Sequence, residues 1–321
     1  MLIVYLDQNK WIELSSFLYG KRRDRDLRDV IRFIQFSRAQ KLVCFPLSCG
    51  HYQETRGHGD SARRRRLAEV MWDISEGTTL ADPTVILRHE LDEALLHRFP
   101  DRVHPLQMEP FNLLRQGVAG ISPDPTFKIA VPESIPLKKR RIIEEMIEKS
   151  LLSGVNLFTG KEAPRAGTSE FQLRFQDALN TLPDRLERLG PEARERALYA
   201  IGLIGIKDAV SQALFRHGIS WDELLALGVD GLTAFIDDLP SQRADVHLHH
   251  HWIRNKALRA ERTELIDWGE MGPMTMYCDV VVTEKQFADL INRGQLLKRA
   301  TVITDLLQLP GILIEKSRQQ G

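Results

Sequence analysis

Covalent cross-linking is almost absent from this chain, which has three cysteines in 321 residues, Cys44, Cys49 and Cys278, and no CxxC pair. An odd set without paired spacing argues against a disulfide framework and against a cysteine-based zinc site, and points to a reducing compartment. Net charge is absent too, because 44 Lys and Arg are balanced by 44 Asp and Glu. Attraction to a polyanion therefore has to come from local patches. No apolar run approaches the ~20 residues that a membrane helix needs. The N-terminus starts directly in a strand, with no basic lead or apolar signal core. No internal repeat is apparent. These absences lead to the expectation of a soluble, cytoplasmic protein with no membrane contact. With 43% hydrophobic residues, the chain can bury a substantial core as one large domain or two modest ones.

What is present is an α/β rhythm at both ends of the chain. Leu2 to Leu6 reads as a strand, and Asn9 can cap a following helix that buries Trp11, Ile12 and Leu14. Leu27, Val30, Ile31, Ile34 and Phe36 predict a second amphipathic helix, followed by a strand over 42–45, which makes a β-α-β unit. Pro46 stands where a helix running through Glu54 would start, and another helix is expected over 62–74. From about residue 82 to 240 the pattern is helical, with periodic segments at 142–152, 171–186 and 193–215 and Pro/Gly-rich interruptions at 117–136 and 158–167. The rhythm then returns with helices near 246–260 and 264–276, a strand at 280–283, a helix at 286–291 and a strand at 301–303. The expected fold is a parallel α/β sheet with helices on both faces. Residues 1–81 and 241–321 would form one discontinuous domain, interrupted by a helical insertion or lid over 82–240.

The chemistry lies at the strand ends. The first strand delivers Asp7, and the strand 280–283 is bracketed by Asp279 and Glu284. Carboxylates at the end of an open α/β sheet, where ligands are normally held, suggest a metal site assembled from distant segments. Phosphodiester hydrolysis assisted by Mg²⁺ or Mn²⁺ needs clustered hard oxygen donors. Such a cluster would repel itself without the ions, so it is rarely structural. Asp7 is the first candidate ligand, although alone it would read equally well as a turn or capping residue. Glu54 is the second: Ser48, His51 and Glu54 recur every three residues and would point toward one end of the sheet. His51 could orient a carboxylate or a substrate phosphate, with a packing role as the plainer reading. Asp279 and Glu284 lie five residues apart, at opposite ends of a regular strand, and Glu284 at the carboxyl end is the better placed.

Other conspicuous groups are less specific. The run Arg63 to Arg66 is either a solvated helix face or a nucleic-acid backbone contact, and 138–141 has the same ambiguity. His247 and His251 have the i, i+4 spacing of a helical metal pair and stand with His249 and His250. No nearby cysteine completes such a site, so surface imidazoles are the favoured reading.

The segments LDQNKWI (residues 6–12), PLSCGHYQET (46–55) and YCDVVVTEK (277–285) resemble a bacterial group of PIN-like domain proteins, over roughly the first 80 and the last 75 residues. PIN domains are compact α/β nucleases in which acids from separate elements gather around Mg²⁺ or Mn²⁺ and cut RNA or sometimes structured DNA. The resemblance implies a metal-dependent endoribonuclease, in the role of a bacterial toxin or defence effector, with room for a regulatory protein partner and for homo-oligomers. It places a third ligand in an Asn-Asp-x-x-Asp pattern. This chain reads Thr263-Glu264-Leu265-Ile266-Asp267 there, which favours Asp267 over Glu264, the latter fitting equally well as a first-turn helix acid. In many PIN domains an acid falls two residues after the strand threonine. That position is Lys285, so either Glu284 completes the site or Lys285 binds a phosphate. The expected metal ligands are Asp7, Glu54, Asp267 and Glu284, with Asp279 and Glu264 as weaker members. Asn9, Ser48, His51, Arg63 and Lys285 are the expected substrate contacts. The rivals are a catalytically weak module that binds RNA or a protein partner, and a PIN-type DNA nuclease.

Overall fold

The computed structural model describes every residue except 21–23, 58, 106–107, 109, 125, 164–169, 255–264, 294–295, 297 and 321, and every described side chain except those of 170–172, 174–175, 265–267 and 320. Its strands are β1 (Leu2–Leu6), β2 (Val43–Cys44), β3 (Thr78–Leu80), β4 (Leu114–Gln116), β5 (Val280–Val282) and β6 (Thr301–Ile303). Helices α1 (Gln8–Leu18) and α2 (Arg25–Ala39) connect β1 to β2, and α3 (Cys49–Gly57) and α4 (Ser61–Ser75) connect β2 to β3. The middle of the chain is helical except for β4. It holds α5 (Pro83–Arg98), α6 (Gly117–Gly120), α7 (Leu137–Ser153), α8 (Glu170–Leu186), α9 (Pro191–Gly205), α10 (Lys207–His217), α11 (Trp221–Leu225), α12 (Gly228–Asp237) and α13 (Pro240–Trp252). Helix α14 (Leu265–Tyr277) leads into β5, α15 (Lys285–Asn292) joins β5 to β6, and α16 (Leu309–Gln320) follows β6.

The first and last parts of the chain share one parallel sheet, in the order β2-β1-β5-β6. Val4, Tyr5 and Leu6 pair with Val280, Val281 and Val282, so the two central strands end together. Alternation along β1 sends Leu2, Val4 and Leu6 into a core with α1, α2 and α4, while Ile3 and Tyr5 enter a second core. That second core contains Leu91 and Leu95 of α5, Val210 and Leu214 of α10, Phe235 of α12, Leu248 and Trp252 of α13 and Met271 of α14. Helices of residues 82–240 thus share one buried core with Ile3 and Tyr5 of the sheet. Strands buried on both faces read as near-continuous apolar runs, as Leu2–Leu6 and Val280–Val282 do.

Three local expectations change. Cys49 and not Pro46 opens α3; Leu47 makes a parallel bridge to Thr79, so 46–47 extend the sheet edge toward β3. The stretch 82–240 is not wholly helical, because β4 lies within it and pairs antiparallel with β3. The segment 193–215 is two helices, bent by 66° between α9 and α10. Helix α14 packs closely at Gly272, where a Cβ would stand 2.4 Å from Asp245 Oδ1 and 2.8 Å from the Ser241 carbonyl. Among the described residues, no single helix is long and apolar enough to cross a membrane.

Candidate functional site

Two adjacent parallel strands end in the same way. β1 runs into Asp7 at the N-cap position of α1, and β5 runs through Thr283 into Glu284 at the N-cap position of α15. An acid at an N-cap ordinarily accepts from the first turn of its own helix. Neither of these does. The backbone N–H of Asp7 continues the ladder to the Val282 carbonyl at 2.9 Å, which locks the two strand ends side by side. Asp7 Oδ2 accepts from the Thr283 hydroxyl at 2.9 Å. Burial pushes the Asp7 carboxyl above its usual range, against the opposing pull of that hydrogen bond, of the Gln8 and Glu284 N–H groups and of Lys10. Glu284 is exposed, and its carboxylate accepts from the Asn9 amide. Asn9 is therefore not the cap of α1: it sits inside the first turn and spans to the end of β5.

Glu54, on α3, is the third member. Burial first, and then the charges of Asp7, Glu270 and Glu284, push its carboxyl up to about 8. Acids from β1, α3 and the β5–α15 junction thus share one electrostatic neighbourhood, in which one of them holds its proton near neutrality.

Sequence reasoning missed the residue that fastens this corner, Glu270 on α14. This fully buried carboxylate accepts from Tyr5 Oη at 2.8 Å, Ser48 Oγ at 2.7 Å, the Gly50 N–H at 2.6 Å and Cys49 Sγ at 3.4 Å. The Gly50 N–H lies in the first turn of α3, where a carboxylate complements the helix dipole. Burial still pushes the Glu270 carboxyl up, because desolvation outweighs these donors. Its only signal in the sequence is the spacing from Asp267, one helical turn before it.

Ser48 and His51 belong to the same fastening and not to a substrate surface. The Ser48 N–H donates to His51 Nδ1 at 2.9 Å, which places the ring proton on Nε2, and Nε2 donates to the Leu6 carbonyl at 2.8 Å. The imidazole stacks on Tyr5 with ring centroids 5.2 Å apart. Burial lowers its pKa to about 4, so it stays neutral. It ties α3 to the end of β1.

The remaining candidates divide. Asp279 lies at the amino end of β5, away from the site, where Oδ2 accepts from the Ile3 N–H at 2.8 Å and Oδ1 from Arg299 Nε at 2.9 Å. It is a structural carboxylate, which corrects its place among the ligands. Lys285 is exposed in the first turn of α15, and Lys10 Nζ donates to the Thr304 carbonyl just past β6 at 2.6 Å. Arg63 lies on α4, on the wall of a cleft against α1. Asp267 belongs to α14, but its side chain is outside the described residues, as Glu264 is altogether.

The donor set is all hard oxygen, as Mg²⁺ or Mn²⁺ prefers, and its members already burden one another as anions. Among the described residues, no three His, Cys, Asp or Glu side chains stand close enough together to hold an ion. No family model, no curated protein and no solved structure matches this chain.

Proposed function

We propose that this chain is a PIN-like, Mg²⁺- or Mn²⁺-dependent endoribonuclease whose site lies at the carboxyl end of β1 and β5. One observation carries the reading: Asp7, Glu54 and Glu284, delivered by three elements, share a corner where burial and mutual charge push Glu54 up to about 8. That is an arrangement costly to a fold unless a cation compensates it. The parallel sheet and the helices on its two faces are what the resemblance to PIN domains calls for.

Asp7, Glu54 and Glu284 would hold the ion, with Asp267 as the further ligand that the resemblance adds. When bound, such an ion neutralises the carboxylates, polarises a phosphodiester and makes a water nucleophilic. The chain's own residues do the rest. Thr283 fixes the Asp7 carboxylate, Asn9 steers Glu284, and the Glu270 and His51 links hold α3 so that Glu54 faces the same corner. Lys10 and Lys285 supply positive charge at the mouth, where a substrate phosphate would approach. A toxin or defence role, restrained by a protein partner, belongs to the same proposal.

The test is cleavage of labelled RNA and DNA by the purified protein with Mn²⁺ and then with EDTA. Internal cleavage of RNA that stops with EDTA is the expected result. Cleavage that persists in EDTA overturns the metal assignment, preferential cutting of DNA corrects the substrate, and RNA binding without turnover supports the catalytically weak module.

A further inference from the structure

The run Arg63 to Arg66 is two features and not one. Arg64 is buried: Nε donates to the Ser153 carbonyl at 2.9 Å and Nη2 pairs with Glu162 at 2.7 Å, which ties α4 to the segment after α7. Arg65 is exposed and projects away from Arg63, since two residues advance a helix by about 200°. Arg63 and Arg66, one turn apart, line a cleft between α4 and α1 together with Ile12, Ser15, Ser16 and Tyr19. The cleft is narrow, with room for about one or two waters beneath its open mouth.

This cleft is chemically prepared for an anion. The Arg66 guanidinium lies over the Tyr19 ring, 5.6 Å from its centroid, and its Nε donates to the Ala62 carbonyl at 3.2 Å, so the fork is held before any ligand arrives. Glu69, the nearby acid, accepts from the Tyr19 hydroxyl. Ser15 and Ser16 add hydroxyl donors on the opposite wall. Paired guanidiniums with hydroxyls form a phosphate-binding set. Its position gives it a purpose. Ser15 follows Asp7 on the same helix by about 12 Å of axial rise at ~1.5 Å per residue, so a strand with one phosphate in the cleft can reach the acids within a few nucleotides.

We propose that the α1–α4 cleft is a phosphate subsite for single-stranded RNA, in which Arg63 and Arg66 clamp the backbone about 12 Å along α1 from the proposed catalytic corner. For the identity of the strand it rests on the nuclease reading above; for its existence it rests on the cleft alone.

The test uses the full chain and a fluorescent twelve-nucleotide RNA in EDTA, with affinity followed across a salt series. The Arg63→Gln/Arg66→Gln variant is expected to bind about tenfold more weakly and to lose about 1.4 from the slope of log affinity against log salt, at ~0.7 per single-strand phosphate contact. Arg65→Gln, of equal charge change, is expected to alter binding less than twofold. Arg63→Lys/Arg66→Lys keeps both charges and should retain the slope, which separates lost contacts from lost folding. With Mn²⁺, the double Gln variant should raise KM and leave kcat in place. If the wild-type protein cleaves RNA while the double Gln variant keeps the wild-type affinity and slope, the subsite is wrong and the nuclease reading stands. An equal loss from Arg65→Gln reduces the cleft to a diffuse field and also overturns it. RNA binding that depends on Arg63 and Arg66 without cleavage supports the subsite and sinks the nuclease reading. Absence of both binding and cleavage overturns the two together.

Discussion

Asp7 and Asp279 stand at opposite ends of the paired central strands, 2% and 5% exposed respectively, and the fold treats them in opposite ways. Asp279 receives the Ile3 N–H and the Arg299 guanidinium, a backbone donor and a counter-charge. Asp7 receives the Thr283 hydroxyl, is eased by the Gln8 and Glu284 N–H groups and by Lys10, and faces Glu54, a second carboxylate. A buried anion with its own cation is part of the scaffold, whereas one set beside other anions is a debt that a ligand has to settle. The same contrast separates Glu270, which accepts from four donors, from Glu54, which burial first and then other acids push up to about 8. Burial alone therefore does not mark the site. What distinguishes it is the crowding of like charges.

The sharpest way to break this comparison is to make the same substitution at both ends. Asp7→Asn removes charge from the proposed metal site, so turnover with Mn²⁺ should fall on the order of a thousandfold, about 4 kcal/mol of transition-state stabilisation. In EDTA the same variant should melt no lower than the parent protein, because Asn keeps an acceptor for Thr283 while one of several crowded charges is removed. Turnover at the parent rate, with contaminating nuclease excluded, would contradict the role given to Asp7.

A smaller effect tests the crowding of the acids. The Glu54 carboxyl is raised from 4.5 to about 8 in the folded protein, so the folded state holds more protons than the unfolded state between those values. Stability in EDTA is therefore fullest below about pH 4.5 and is lost as the pH rises through about 8. The loss should amount to roughly 1–3 kcal/mol, less than the full shift implies, because neighbouring acids and solvent absorb part of it. Saturating Mn²⁺ should restore it by binding only the folded form, and Glu54→Gln should flatten the profile. Melting curves across pH, with and without Mn²⁺, check both. An unchanged profile in Glu54→Gln would remove Glu54 from the cluster.

The smallest effect is at the other end of the sheet. Asp279→Asn keeps an acceptor for the Ile3 N–H but loses the charge facing Arg299, which is half exposed. It should cost about 1–2 kcal/mol of stability and leave kcat with Mn²⁺ unchanged. A thousandfold loss of activity in that variant would erase the distinction between the two aspartates.

Much of the scaffold was legible in the chain. Runs such as Leu2–Leu6 and Val280–Val282 announce strands covered on both faces, and the positions of Asp7 and Glu284 after them follow from strand geometry alone. The short strands Thr78–Leu80 and Leu114–Gln116 were not legible, because three residues carry too little periodicity and each depends on the other as partner. Nor was the bend at Ile206, which interrupts a continuous helical pattern.

The candidate site was legible as a set of acids and not as a set of roles. Ser48 and His51 repeat with Glu54 on one helical period, yet the first two bond Glu270 and the Leu6 carbonyl while Glu54 joins Asp7. By itself the sequence determined the sheet's apolar strands, the acids at their ends and a chain without net charge or cross-links, since these depend on residue type and short-range spacing. Only the tertiary structure decided which acids are compensated. The donors that settle the matter for Asp279 and Glu270 come from Ile3, Arg299, Tyr5 and Gly50, mostly far away in the chain, and the free energy of a buried charge depends on everything around it in space.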